Sequence, residues 1–105
     1  MRQYIKGEHQ TEGGNPAGGH TTGTGIDIQW QNGPLAIDGE RRPPNGAFVE
    51  GVIEAAIDRL QYYQESKFAC EENGHALVLL DQALRWLNKR TEDREKRGVE
   101  GTHAV

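Results

Sequence analysis

Arg90, Arg94 and Arg97 stand at i, i+4 and i+7, a spacing that lines three guanidinium groups along one face of a helix. Each is a planar fork of N–H donors that matches two oxygens of a phosphate, so the row is a candidate anion site. They belong to a wider gathering of charge. Six of the chain's twelve basic residues, Arg85, Lys89, Arg90, Arg94, Lys96 and Arg97, fall within thirteen positions. Only Glu92, Asp93 and Glu95 oppose them there, a local balance of plus three, which leaves minus seven on the rest of a chain of net charge -4. Interleaved acids and bases on a solvated helix end give a similar pattern, and exposed ion pairs contribute little. A single helix face also lacks the convergent donors and stacking wall that hold a small phosphorylated ligand. Symmetry supplies both when the same helix end from several subunits meets at one axis.

Other residues carry weaker chemistry. Trp30 and the Tyr62-Tyr63 pair offer planes on which a base stacks, although aromatic side chains in a small domain are more often core. Cys70 and His75 flank a helix start without a third orienting group, so they do not read as a thiol nucleophile and its base. His9, His20, His75 and His103 lack zinc-ligand spacing, and no metal or cofactor is expected. Gly23-Thr24-Gly25 precedes a strand pattern and does not open a helix, which excludes a phosphate loop. A sequence pI of about 5.5 disfavours long nucleic acid as a partner.

The elements that position these residues follow from periodicity. At 105 residues the chain reads as a single domain, with 34% hydrophobic residues and 14 glycines limiting its core. Residues 7–25 hold seven glycines and one apolar side chain, Ala17, and are expected to be a long mobile loop. A short strand is expected over Arg2 to Lys6. Ile26, Ile28 and Trp30 alternate with polar residues as a half-buried strand does, and Leu35 with Ile37 predicts a return strand between the turns at Asn32-Gly33-Pro34 and Asp38-Gly39. After Arg41-Arg42-Pro43-Pro44, Asn45 is placed to cap a helix from Ala47 to about Glu65. Its apolar face is Val49, Val52, Ile53, Ala56, Leu60 and Tyr63, with Phe48, Ala55 and Tyr62 as a second stripe. A short link predicts an antiparallel return into a second helix, from about Glu71 to Arg97, ended by Gly98. Its inner face is Asn73, Ala76, Leu77, Leu80, Ala83, Leu84 and Leu87, with Leu79 and Trp86 on another side.

The fold class is therefore α+β: a small N-terminal antiparallel sheet over 1–44, an antiparallel helical hairpin over 45–98 and a tail over 99–105. Helices apolar on two sides expose a patch that a small sheet cannot cover, so oligomerisation is expected. No transmembrane run or apolar leader is evident and Cys70 is the single cysteine, which together point to a reducing cytoplasm and no membrane partner.

Five blocks carry a resemblance: Trp30-Gln31-Asn32-Gly33-Pro34, Asn45-Gly46-Ala47-Phe48-Val49-Glu50, Lys67-Phe68-Ala69-Cys70-Glu71-Glu72-Asn73, Lys89-Arg90-Thr91-Glu92-Asp93-Arg94 and Gly98-Val99-Glu100-Gly101-Thr102. In this order they resemble the phage Thoeris anti-defence sponge family, whose helical hairpin is shared with the anti-CBASS sponges. The resemblance implies a non-enzymatic protein of the infected host's cytoplasm that sequesters nucleotide messengers of bacterial immunity. It implies a homo-oligomer, a hexamer built from dimers, with two kinds of pocket. Tyr63 would stack on a cyclic ADP-ribose isomer that Asn73 hydrogen-bonds, and Arg90 and Arg94, with Arg41 or Arg42 assisting, would hold a cyclic di- or trinucleotide. Where family members often read Cys-Arg-Glu-Asn-Ala, this chain has Cys70-Glu71-Glu72-Asn73-Gly74, an anion in place of a cation. Two other classes stay open: an oligomeric structural or regulatory protein that binds nucleic acid or a host protein through its basic helix end, and a small messenger hydrolase.

Overall fold

The structure is a computed structural model and describes residues 4–37, 39–98 and 102. The chain divides into two compact units, a helical one over Val49–Arg97 and a β-rich one built on the residues up to Phe48. In the β-rich unit, β1 (Lys6–Glu12), β2 (Asn15–Gly23) and β3 (Ile26–Gln29) form an antiparallel sheet in the order β1-β2-β3. A separate ribbon pairs β4 (Ala36–Ile37) with β5 (Glu40–Arg41), and Arg42 N–H donates to the Leu35 carbonyl at 2.6 Å.

The first two strands correct the expectation of a loop over 7–25. Backbone ladders need no side chains, and the glycines sit where the ladder must turn. Glu12 pairs with Asn15 across Gly13 and Gly14, whose φ values of 60° and 80° are those of a tight two-residue hairpin turn. Further along, the three steps from Pro16 to Gly19 face only two from His9 to Thr11, so β2 carries an extra residue. Gly19 lies within that bulge at φ 115°, and a Cβ there would run into the Glu8 carbonyl. The strand expected over Arg2 to Lys6 begins only at Lys6: Tyr4 and Ile5 are exposed and outside the ladder, and Arg2 lies outside the described residues. β3 does show the anticipated alternation, with Ile26, Ile28 and Trp30 half-buried and Asp27 and Gln29 exposed.

A cross-chain clasp joins two of the sequence blocks. Ala47 N–H donates to the Gln29 carbonyl at 2.7 Å and Gln31 N–H to the Ala47 carbonyl at 3.0 Å, a parallel bridge between Trp30 and Ala47. Asn45 does not cap the first helix. Its side chain instead accepts from Asn32 N–H at 2.8 Å and donates to the Asn32 carbonyl at 2.8 Å, while its own N–H donates to Gln31 Oε1 at 2.9 Å. The Trp30 indole N–H donates to Thr21 Oγ1 at 2.8 Å, and Trp30 N–H to the Gly19 carbonyl at 3.0 Å, which ties the clasp to β2.

The helical unit holds α1 (Val49–Gln64) and α2 (Glu71–Lys96), which pack on each other. The half-buried apolar residues of α1 are Val52, Ile53, Ile57, Leu60 and Tyr63, so Ile57 takes the place expected of Ala56, and Val49 is 50% exposed at the helix start. On α2, Ala76, Leu77, Leu80, Leu84 and Leu87 are half-buried as expected, and Ala83 is exposed. Gly98, at φ 72°, follows the helix end. The tail expected over 99–105 lies outside the described residues except for Thr102. Among the described residues no side chain is buried, and Leu79 and Trp86 are 65% and 72% exposed.

The clasp has a measurable weak point. A Cβ on Gly46 would stand 2.5 Å from the Trp30 carbonyl carbon, against the Trp30–Gln31 peptide group and not a flexible side chain that could yield. Gly46→Ala is expected to destabilise the β-rich unit by about 1–3 kcal/mol, read by urea denaturation followed through Trp fluorescence.

Candidate functional site

The link between the helices positions one set of candidate residues. α1 ends in a turn in which Ser66 N–H donates to the Tyr63 carbonyl at 3.0 Å and the Ser66 hydroxyl donates to the same oxygen at 2.6 Å. The hydroxyl also accepts from Phe68 N–H at 3.1 Å, and Ala69 N–H donates to the Ser66 carbonyl at 3.2 Å. Gln64 closes the link: its Oε1 accepts from Cys70 N–H at 3.0 Å and its Nε2 donates to the Cys70 carbonyl at 3.0 Å. Cys70 is the N-cap of α2 but its side chain makes no cap hydrogen bond, so the Gln64 amide, held across the link, fixes the first turn's entry in its place. The end of α1 and the start of α2 are thereby stapled side by side.

Tyr63 and Asn73 border this link, both half-buried. The Asn73 amide donates to the Phe68 carbonyl at 3.4 Å, a long bond that a better acceptor would displace. Around Tyr63 the structure adds a residue absent from the sequence reading. The Arg59 guanidinium carbon lies 4.9 Å from the ring centroid of Tyr62 and 4.9 Å from that of Tyr63. The two rings are 6.0 Å apart and tilted by 55°, forming a notch that the cation fills. A hydrogen bond with the Tyr63 side chain, and then the fields of Tyr63, Tyr62 and Asp58, hold Arg59 above the ordinary arginine range despite a small opposing effect of desolvation. The signal was present in the spacing, because residue i reaches i+3 and i+4 on a helix. At position 71, Glu71 Oε1 pairs with His75 Nε2 at 3.3 Å, one turn along.

The second set lies in the last turns of α2. Arg90 is exposed and Arg94 half-buried. Arg94 continues the row Leu77, Leu80, Leu84, Leu87 and Thr91, in which spacings of three and four alternate, so the arginine occupies a seam position one helical turn from Arg90. Two of the neighbouring cations are matched on the helix itself: Arg85 Nε to Asp81 at 3.0 Å and Lys89 Nζ to Asp93 at 3.0 Å. The seventeen steps from Asn73 to Arg90 place this set about 25 Å along α2 from the link at 1.5 Å per residue. Arg41, the third member, is exposed on β5 of the β-rich unit. Between the two sets, a shallow cleft of ≈ 270 Å³ is lined by Gln82, Arg85, Trp86 and Lys89. Among the described residues no helix is long and apolar enough to cross a membrane.

Comparison with known proteins bears on both sets. Residues 23–92 match the family described as the Acb2/Tad1 hairpin domain. The matched span contains Arg41, Tyr63, Asn73 and Arg90, and Arg94 follows it by half a turn. Over 76 residues the chain is 50% identical to a protein called Thoeris anti-defense 1 from Bacillus phage SBSphiJ7, an alignment that covers 72% of this chain and 51% of that relative. The chain thus spans about half the length of the curated relative it matches.

The link geometry generates its own expectation. Gln64→Ala removes both hydrogen bonds to Cys70 and is expected to lower the stability of the helical unit by about 1–2 kcal/mol, measured as a shift in the urea midpoint of the helical circular dichroism signal.

Proposed function

Because the chain belongs to the Thoeris anti-defence family of phage proteins that carries the Acb2/Tad1 hairpin domain, we propose that it is a non-catalytic sponge for nucleotide second messengers. It binds cyclic ADP-ribose isomers, cyclic di- or trinucleotides, or both, and removes them from the effectors of Thoeris or CBASS defence without cleaving them. The observation that carries this reading is the separation of the two candidate sets, about 25 Å along one helix. An aromatic and amide set at the link suits a stacked base with its hydrogen bonds. An arginine set at the far end suits phosphodiester oxygens.

Stoichiometric capture needs dissociation constants near the nanomolar level, equivalent to about 12 kcal/mol. Arg90 and Arg94 from one chain fall short of that, since both belong to the last turns of a single helix. Copies of the chain supply it if the two helices, paired as an antiparallel hairpin, assemble further. Three features support assembly. No described side chain is buried. Leu79 and Trp86, seven residues apart, face solvent. α2, at 26 residues, outruns the 16 of α1 by about 15 Å, and its seam continues through Thr91 and Arg94 into that overhang. We take the assembly to be a hexamer built from dimers, in which helix ends from different copies bring their Arg90 and Arg94 pairs together, with Arg41 contributing from the β-rich unit.

Isothermal calorimetry against a panel of cyclic ADP-ribose isomers and cyclic di- and trinucleotides tests this, with light scattering for mass. Arg90→Ala and Arg94→Ala are each expected to abolish cyclic oligonucleotide binding at unchanged mass, and loss of the assembly would instead make them interface residues. Tyr63→Ala is expected to weaken capture of the cyclic ADP-ribose isomer at least a hundredfold while leaving the cyclic oligonucleotide untouched. Heat denaturation of the loaded protein should return the ligand intact. Recovery of cleavage products would make the protein a hydrolase, and uptake of long polyanions alone would make it a nucleic-acid binder.

A further inference from the structure

We propose that Arg59 is a ligand-binding residue of the link site, one that orients the Tyr63 ring and takes a phosphate of the nucleotide whose base stacks there. The inference rests on the reading of Tyr63 and Asn73 as a nucleotide pocket and names the group that would select phosphorylated ligands at it.

The geometry assigns Arg59 two tasks at once. Its guanidinium stands 4.9 Å from both tyrosine centroids, in the notch between rings tilted by 55°, which restricts how Tyr63 can turn before any ligand arrives. A ring held in place loses less freedom on stacking, so the arrangement strengthens binding without a new contact. The same guanidinium carries five N–H donors, more than its contacts with the Tyr62 and Tyr63 rings engage. Arg59 is exposed and, among the described residues, forms no ion pair, unlike Arg85 and Lys89, which are matched by Asp81 and Asp93. The remaining donors therefore face solvent beside an aromatic plane.

A fixed cation next to a stacking ring recognises a particular chemistry. A base lying on Tyr63 carries its ribose to the ring edge, and a phosphate on that ribose reaches the flank where a planar fork can grip two oxygens. A nucleoside of the same base gains the stack and nothing from the fork. Lysine would keep the charge but lose both the stacking on the tyrosines and the paired donors.

The test compares full-length wild type, Arg59→Gln, Arg59→Lys and Tyr63→Ala by calorimetry, with a panel of cyclic ADP-ribose isomers as phosphorylated probes and adenosine at millimolar concentration as the probe without phosphate. Circular dichroism checks that helix content is equal. The expected result is a loss of at least tenfold for the tightest cyclic ADP-ribose isomer in Arg59→Gln, a flatter dependence on salt, partial recovery in Arg59→Lys, and adenosine binding that changes less than threefold among the arginine variants. Arg59→Gln that binds the isomer as wild type does, while Tyr63→Ala does not, overturns the role of Arg59 and leaves the pocket standing. Equal loss of the isomer and of adenosine in Arg59→Gln reduces Arg59 to a prop for the ring and overturns the phosphate contact. Wild type that takes up no isomer overturns the pocket and this inference together.

Discussion

With 34% hydrophobic residues and 14 glycines, the chain has too little apolar surface to enclose within itself, and among the described residues no side chain is buried. What burial does not supply, directed hydrogen bonds must. The β-rich unit is held by ladders and by the clasp in which Asn45 bonds both backbone groups of Asn32 and Ala47 bridges Gln29 and Gln31. In the helical unit the Gln64 amide plays the same part for Cys70. Each is a side-chain amide satisfying the N–H and the C=O of one distant residue, which sets chain direction at a point where packing alone would leave it loose.

The parts of the fold that were readable in the sequence are those with a periodic signature. The seam of α2 from Leu77 to Leu87 and the alternation from Ile26 to Trp30 follow directly from periods of 3.6 and 2. Residues 7–25 are not legible from composition: a glycine-rich stretch is costly to order, yet paired glycines at 13 and 14 and a bulge near Gly19 are what a compact hairpin uses. Asn45 is hidden for a different reason. A residue placed before a helix reads as its cap, but the side chain found a partner thirteen positions back, and no local pattern announces a contact at that separation.

The candidate sites show the same division. Arg90 and Arg94 are visible as a charge row, and Arg94 is half-buried at a position that continues the seam. Arg59 was overlooked because a lone arginine on a helix resembles any solvated cation until the tyrosine rings on either side of it are seen. The two sets differ in kind as well as place. The link set offers planes and amides arranged within one chain, whereas the arginine turn offers charge that only becomes directional when another wall faces it.

β1 occupies the outside of its sheet, and all seven of its residues, Lys6 to Glu12, are exposed. Lys6, Glu8, His9 and Glu12 distribute charge and polarity along that rim, and the bulge in β2 twists the ribbon. An edge furnished in this way is a poor template for a neighbouring strand. A rim that resists zippering favours dispersed molecules over strand-to-strand stacking at high concentration.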